Sequence, residues 1–146
     1  LAGSAVIANA QDKGPHDDAI KARKAQMQLY GYSTGVLGAM AKGKMDYDAA
    51  IEQEMADNLN AAVNMGQSTL WPAGSDNETA GNAKNRALPA IWETYPAIVE
   101  KSEAMAKAAA NLQANAGGGL DALRGAIGDV GKSCKGCHDD FRASRR

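Results

Sequence analysis

Apolar residues along this chain recur at helical spacing in four stretches, and no stretch alternates convincingly with period two. Helices are therefore predicted and a sheet is not. From Asp17 to about Lys42, Ile20, Met27, Gly31, Thr34, Leu37 and Ala41 fall on one face, behind Pro15 and an Asp17–Asp18 pair suited to capping and to the helix dipole. After the breaker stretch GKMDYD, Asp46 can cap a second helix running to about Gly66, with Ile51, Met55, Leu59 and Ala62 inward. Residues 67–87 are rich in turn formers and read as a long connection with at most one short helical turn. A third helix is predicted from Leu88 to Asn115, with Ile91, Tyr95, Ile98, Ser102, Met105, Ala109 and Leu112 as its stripe. Pro96 marks its true start or a kink. Beyond AGGGL the periodicity is cleanest: Leu120, Leu123, Ile127, Val130, Cys134, Cys137 and Phe141 repeat at alternating steps of three and four. The pattern predicts an all-α, antiparallel four-helix bundle over residues 17–146, preceded by an extension at 1–16.

Length and composition agree with one such domain. The chain has 146 residues, only 5% of them aromatic, and 16 basic residues balance 17 acidic ones. Balanced charge argues against a nucleic-acid binder. No apolar run is long enough to span a membrane. Near the start, Ala8-Asn9-Ala10 fits the small-x-small pattern before a signal-peptidase cut, with Gln11 as the first mature residue. Residues 1–16 thus read as the remnant of a leader, which implies export to the periplasm, or as a frayed extension.

The chemistry concentrates in Cys134-Lys135-Gly136-Cys137-His138, which holds the only two cysteines. Steps of three and four put both thiols and the imidazole on one side of the last helix. A structural zinc site needs four ligands, and His16 is the only other histidine. A redox dithiol is expected at a helix N-terminus beside a parallel sheet, not late in a helix. A disulfide across two residues would close almost no loop and stabilise little. Haem attachment uses every residue: in C-x-x-C-H the thiols add to the two vinyl groups as thioethers, and the histidine ligates the iron. One covalent haem c is the cofactor this motif predicts.

A C-x-x-C-H close to the C-terminus, together with KARKAQM at 21–27, GVLGAMAKGKMDYDAA at 35–50 and IGDVGKSCKGCHDDFR at 127–142, resembles the cytochrome c′ family. WPAGSD at 71–76 and LPAIW at 88–92 add to the likeness. The resemblance implies that Cys134 and Cys137 hold the haem, that His138 is the proximal ligand and that Arg142 lies beside the haem and that imidazole. It also implies that Arg23 reaches a haem propionate; a solvated charge on the helix face is the plainer reading. Family members split on the sixth ligand. Many leave the iron five-coordinate, high-spin and open to NO or CO; a smaller branch supplies a methionine and carries electrons. The resemblance puts Met27 at that position, whereas Met40, Met45, Met55, Met65 and Met105 read as core filler or surface.

Gly31, Gly35 and Gly38 cost the first helix about 1 kcal/mol each against alanine, which suits either close approach to a flat macrocycle or a helix–helix contact. The expectation is thus a periplasmic single-electron carrier with His138/Met27 ligation, and the alternative is a five-coordinate cytochrome c′ that binds NO or CO. No catalytic constellation accompanies the motif, so an enzyme is not expected. His16 reads as a surface residue. From Gly131 to Arg146 five basic residues face two acidic ones, an excess that can steer an acidic redox partner or simply complement the helix dipole. The resemblance also implies a possible homodimer through the first two helices.

Overall fold

A computed structural model describes residues 13–145; the Ala8-Asn9-Ala10 pattern lies outside them. The helices are α1 (Asp17–Ala41), α2 (Ala49–Val63), the single turn α3 (Ala90–Glu93), α4 (Tyr95–Asn115) and α5 (Leu120–Phe141). Around the bundle the order is α1, α2, α4, α5, each packing on its two neighbours, with α2 and α5 on the diagonal. Neighbours run antiparallel: Arg124 Nε–H donates to the Ala41 carbonyl at 2.9 Å, joining the end of α1 to the start of α5. Lys101 pairs with Asp140 at 3.3 Å, joining the start of α4 to the end of α5. Among the described residues no helix is long and apolar enough to cross a membrane.

Helix boundaries follow local chemistry, with three differences from expectation. Asp48, not Asp46, caps α2, its Oδ1 accepting from the backbone N–H groups of Ala50 and Ile51, both at 2.9 Å. That satisfies two of the donors a helix start leaves open. Asp17 does not cap α1; its carboxylate accepts from the N–H groups of Gly14 at 2.9 Å and Ala83 at 2.7 Å, tying the chain before α1 to the crossing segment. The predicted third helix breaks at Thr94, and Pro96 sits in the first turn of α4, where its missing N–H leaves no hydrogen bond unmade.

The apolar core is continuous over only part of the bundle's length. Leu37, Met40, Met55, Ala56, Leu59, Met105, Ala109, Leu112, Leu123, Ala126 and Val130 form it. Tyr30 and Cys134 pack against its edge. At the end beyond them, α1 buries two polar side chains, Arg23 and Gln26, beside Ile20. The inward face of α1 is therefore rotated from the predicted stripe, because Arg23 and Gln26 find acceptors inside. Gln26 Nε2–H donates to the Ala62 carbonyl at 3.0 Å, and Tyr30 Oη–H reaches the same oxygen at 3.2 Å.

Candidate haem site

Three segments build the open end of the bundle: the start of α1, the C-terminal end of α5 and the crossing between α2 and α4. The crossing is organised by Arg23, whose side chain is buried to 3% exposure. Its guanidinium donates to the Leu70 carbonyl at 3.3 Å, to Ser75 Oγ at 2.6 Å, to the Ser75 carbonyl, and to Asn85 Oδ1 at 3.3 Å. It also stacks 4.7 Å from the Trp71 ring centroid and 5.9 Å from that of Trp92. Burial pushes its pKa down and nearby Asp76 opposes that shift, although guanidinium remains charged in proteins. The solvated reading of Arg23 is thus overturned: it is an interior cation held by carbonyl, hydroxyl and amide oxygens.

Cys134 and Cys137 are free and half-buried on α5. Burial pushes both thiols up; for Cys134 the Ser133 hydroxyl opposes this, and for Cys137 the Lys101 cation does. A dithiol redox centre is favoured by a lowered thiol pKa, the opposite of the direction in which burial pushes these two. With His138 they do not converge as ligands of one ion. His138 is half-buried, and burial first, then the cations of Arg142 and Arg86, push its pKa down and favour the neutral imidazole. Neutral imidazole is the form that ligates a metal.

Met27 is 39% exposed, not packed inward as its place on the predicted stripe required. Tyr95, at 63%, and Ser102 depart from the α4 stripe in the same way. All three lie towards the same end of the bundle. Ala41 sits opposite Arg124, and Tyr30 lies close enough to Cys134 to feel its charge; burial first and then that thiol push the phenol up to about 12. The antiparallel register then carries Met27, one turn before Tyr30, to the level of Cys137 and His138. The Met27 thioether, the Cys137 thiol and the His138 imidazole then lie at one level, with Cys134 about a turn away, and protein leaves Met27, Tyr95 and Val99 partly uncovered. That donor set and that surface fit a haem held by two thioethers.

A family model described as Cytochrome C′ matches residues 18–142. The chain belongs to the cytochrome c′ family. Like other members it binds haem c covalently, with iron. It is 39% identical over 139 residues to "Cytochrome c-554" of Cereibacter sphaeroides, covering 94% of this chain and 89% of that protein. A solved cytochrome c′ "from Rhodobacter Spheriodes" superposes with a TM-score of 0.84 at 37% identity, covering 88% of this chain and 97% of that one. A variant of cytochrome c prime from Alcaligenes xylosoxidans, solved as a nitric oxide complex, superposes at 0.74 with 32% identity, over 87% of this chain and 95% of that one.

Two neighbours of the cytochrome c′ site were not legible in the sequence. Tyr30 lies off the predicted stripe of α1, and its hydroxyl turns inward because the Ala62 carbonyl accepts from it. Arg86 lies in a stretch without periodicity and reaches the His138 region only because the crossing folds back on α5. Arg142 follows α5 directly, its backbone N–H donating to the His138 carbonyl at 3.1 Å. Gly31, Gly35 and Gly38 have open space where a side chain would begin, so no helix–helix contact within this chain requires them. His16 stands at the start of α1, and its side chain accepts no capping hydrogen bond from the helix N–H groups.

Proposed function

We propose that this c-type cytochrome is a periplasmic single-electron carrier whose haem is held by Cys134 and Cys137 and ligated by His138 and Met27. The coarser statement, an electron carrier or ligand binder of the cytochrome c′ family, rests on the family itself. Two thioethers need two cysteines, and the chain has only these two. The bound haem supplies the one-electron couple. The protein's part is to fix the tether on α5 and to keep the His138 imidazole neutral by burial and by the cations of Arg142 and Arg86. The observation that carries the reading is Met27: a thioether at the level of His138, on the helix facing α5, without full protein cover. A soft, neutral sulfur ligand favours the reduced iron and raises the reduction potential. Arg23, one turn before Met27, is assigned as a buried positive charge that acts in the same direction and as the anchor of the crossing. Arg142 is assigned to the proximal side.

A second reading has its own support. Relatives named cytochrome c′, one of them captured with nitric oxide, favour an iron that binds a diatomic gas in place of a side chain. On names and numbers of relatives this reading is the better backed; Met27 is the one feature of this chain that favours the carrier.

Optical spectra of the oxidised and reduced protein, with and without CO, decide between them. A low-spin spectrum with the weak far-red band of an iron–thioether bond is expected, and Met27→Leu is expected to remove that band and open the iron to CO. A wild-type protein that is high-spin and takes up CO rapidly establishes the second reading instead. Export rests on Ala8-Asn9-Ala10, and the protein released by osmotic shock is expected to begin at Gln11.

A further inference from the structure

Arg86, Arg142 and Arg145 meet at the C-terminal end of α5. An isolated antiparallel bridge pairs Ala87 with Arg142. The Ala143 N–H donates to the Arg86 carbonyl at 2.9 Å, and the Leu88 N–H donates to the Phe141 carbonyl at 3.0 Å. Arg86 Nε–H returns a bond to the Ala143 carbonyl at 2.6 Å. These contacts lock the end of the crossing against the chain that leaves α5. None of the three arginines forms an ion pair among the described residues. The two nearest acids in sequence are engaged elsewhere, Asp139 with Lys135 and Asp140 with Lys101. The cations are close enough to act on one another: after burial, Arg142 and Arg145 push the Arg86 pKa down. Like charges gathered this way are unfavourable until an anion neutralises them.

The rest of the molecule strengthens the asymmetry. Between Met45 and Met65, away from this end, there are five acidic residues and no lysine or arginine. Exposed Glu54 and Asp57 lie on α2, which packs on α1 and α4 and sits diagonally across from α5. A chain of net charge −1 is therefore polarised, and such a field orients an approaching charged protein. Arg142 and Arg145 are exposed and Arg86 half-buried, which makes a rim of forked donors suited to surface carboxylates, not a closed pocket for a small anion.

We propose that Arg86, Arg142 and Arg145 form the docking surface for an acidic redox protein, bringing its carboxylates to the side of the bundle that carries His138. The proposal rests on the haem-protein reading, but not on which residue is the sixth ligand.

The test uses the haem-loaded protein and an acidic plant-type ferredoxin as the probe, with binding followed by NMR titration of both oxidised proteins at low ionic strength. Arg145→Glu is expected to weaken binding about tenfold, corresponding to about 1.4 kcal/mol, and to leave the optical spectrum unchanged. The Arg142→Gln/Arg145→Gln pair is expected to weaken binding as well. Lys42→Gln/Lys44→Gln, at the opposite end of the bundle, is expected to leave it unchanged. Raising the ionic strength to about 0.2 M should abolish most of the difference. The proposal is overturned if the wild type does not bind, if Arg145→Glu binds as well as wild type, or if the lysine pair matters as much as the arginines. It is also overturned if Arg145→Glu loses only affinity for phosphatidylglycerol vesicles, which would make the partner a membrane. An altered spectrum in the wild type bears on the Met27 ligation alone, so the two failures are distinguishable.

Discussion

The two ends of this bundle are made by the same helices and solve different problems. At one end, short connections close the structure around buried side chains. Glu52, with 0% exposure, accepts from Tyr47 Oη–H at 2.6 Å and from the Gly117 N–H at 3.0 Å, so one carboxylate ties the α1–α2 connection to the α4–α5 connection. The Gly119 N–H adds a bond to Tyr47 Oη at 3.1 Å. Gly117 and Gly119 have φ of +80° and +100°, which only glycine adopts cheaply. At the other end the continuous core cluster stops at Tyr30 and Cys134, α1 buries Arg23 and Gln26 beside Ile20, and Met27 and Tyr95 are exposed. One end stabilises the chain by itself. The other buries Ile20, Ile91 and Phe141 but leaves Met27, Tyr95, both cysteines and His138 partly uncovered.

This contrast can be broken most strongly at the tether. Replacing both Cys134 and Cys137 by serine is expected to abolish covalent haem, read as loss of all haem stain on a denaturing gel; retained stain would break the assignment of the open end. Next in size is the core of the closed end. Leu112, fully buried, should cost about 3 kcal/mol when cut to alanine, measured by denaturant unfolding. Tyr95→Ala at the open end should change stability by less than about 0.5 kcal/mol, as an exposed site does; comparable losses would mean that the open end is packed as tightly as the closed one.

A smaller effect is expected at Glu52. Glu52→Ala leaves the Tyr47 hydroxyl and the Gly117 N–H without their acceptor, at a cost of about 1–3 kcal/mol. No change in the midpoint would show that Glu52 does not join the two connections. An effect smaller than that of Leu112 sits at the boundary between the regions. Tyr30 has its phenol pushed up to about 12, so the folded state prefers it neutral. That contribution is complete below the ordinary tyrosine pKa of about 10, and it is lost as pH rises from there through about 12. Tyr30→Phe should flatten this alkaline limb in unfolding measured against pH, and lose about 1 kcal/mol at neutral pH with the bond to the Ala62 carbonyl.

Much of the closed end was legible in the chain because its helices bury apolar side chains at regular steps. Leu37, Leu59, Met105, Ala109, Leu112, Leu123 and Val130 are predicted inward and are buried. At the open end the same rule misplaced Met27, Tyr95 and Ser102. Periodicity reports which residues avoid water, and it cannot tell cover by protein from cover by a ligand. The inward turn of Arg23 and Gln26 was also hidden. A charged or amide side chain is assigned to solvent unless its acceptors are known, and theirs come from residues 36 to 62 positions away.

By itself the sequence determined what is local or covalent: four helices from their period, one haem tether from the C-x-x-C-H motif, and the family from its flanks. Only the tertiary structure decided what depends on contacts between distant segments. It set the antiparallel register that carries Met27 to the level of His138, and the interior place of Arg23 beneath the crossing. It also brought Arg86 to the end of α5, where bridge bonds hold it against Ala143. Helical spacing orders residues along and around one helix. The meeting of two helices is set by how all of them pack.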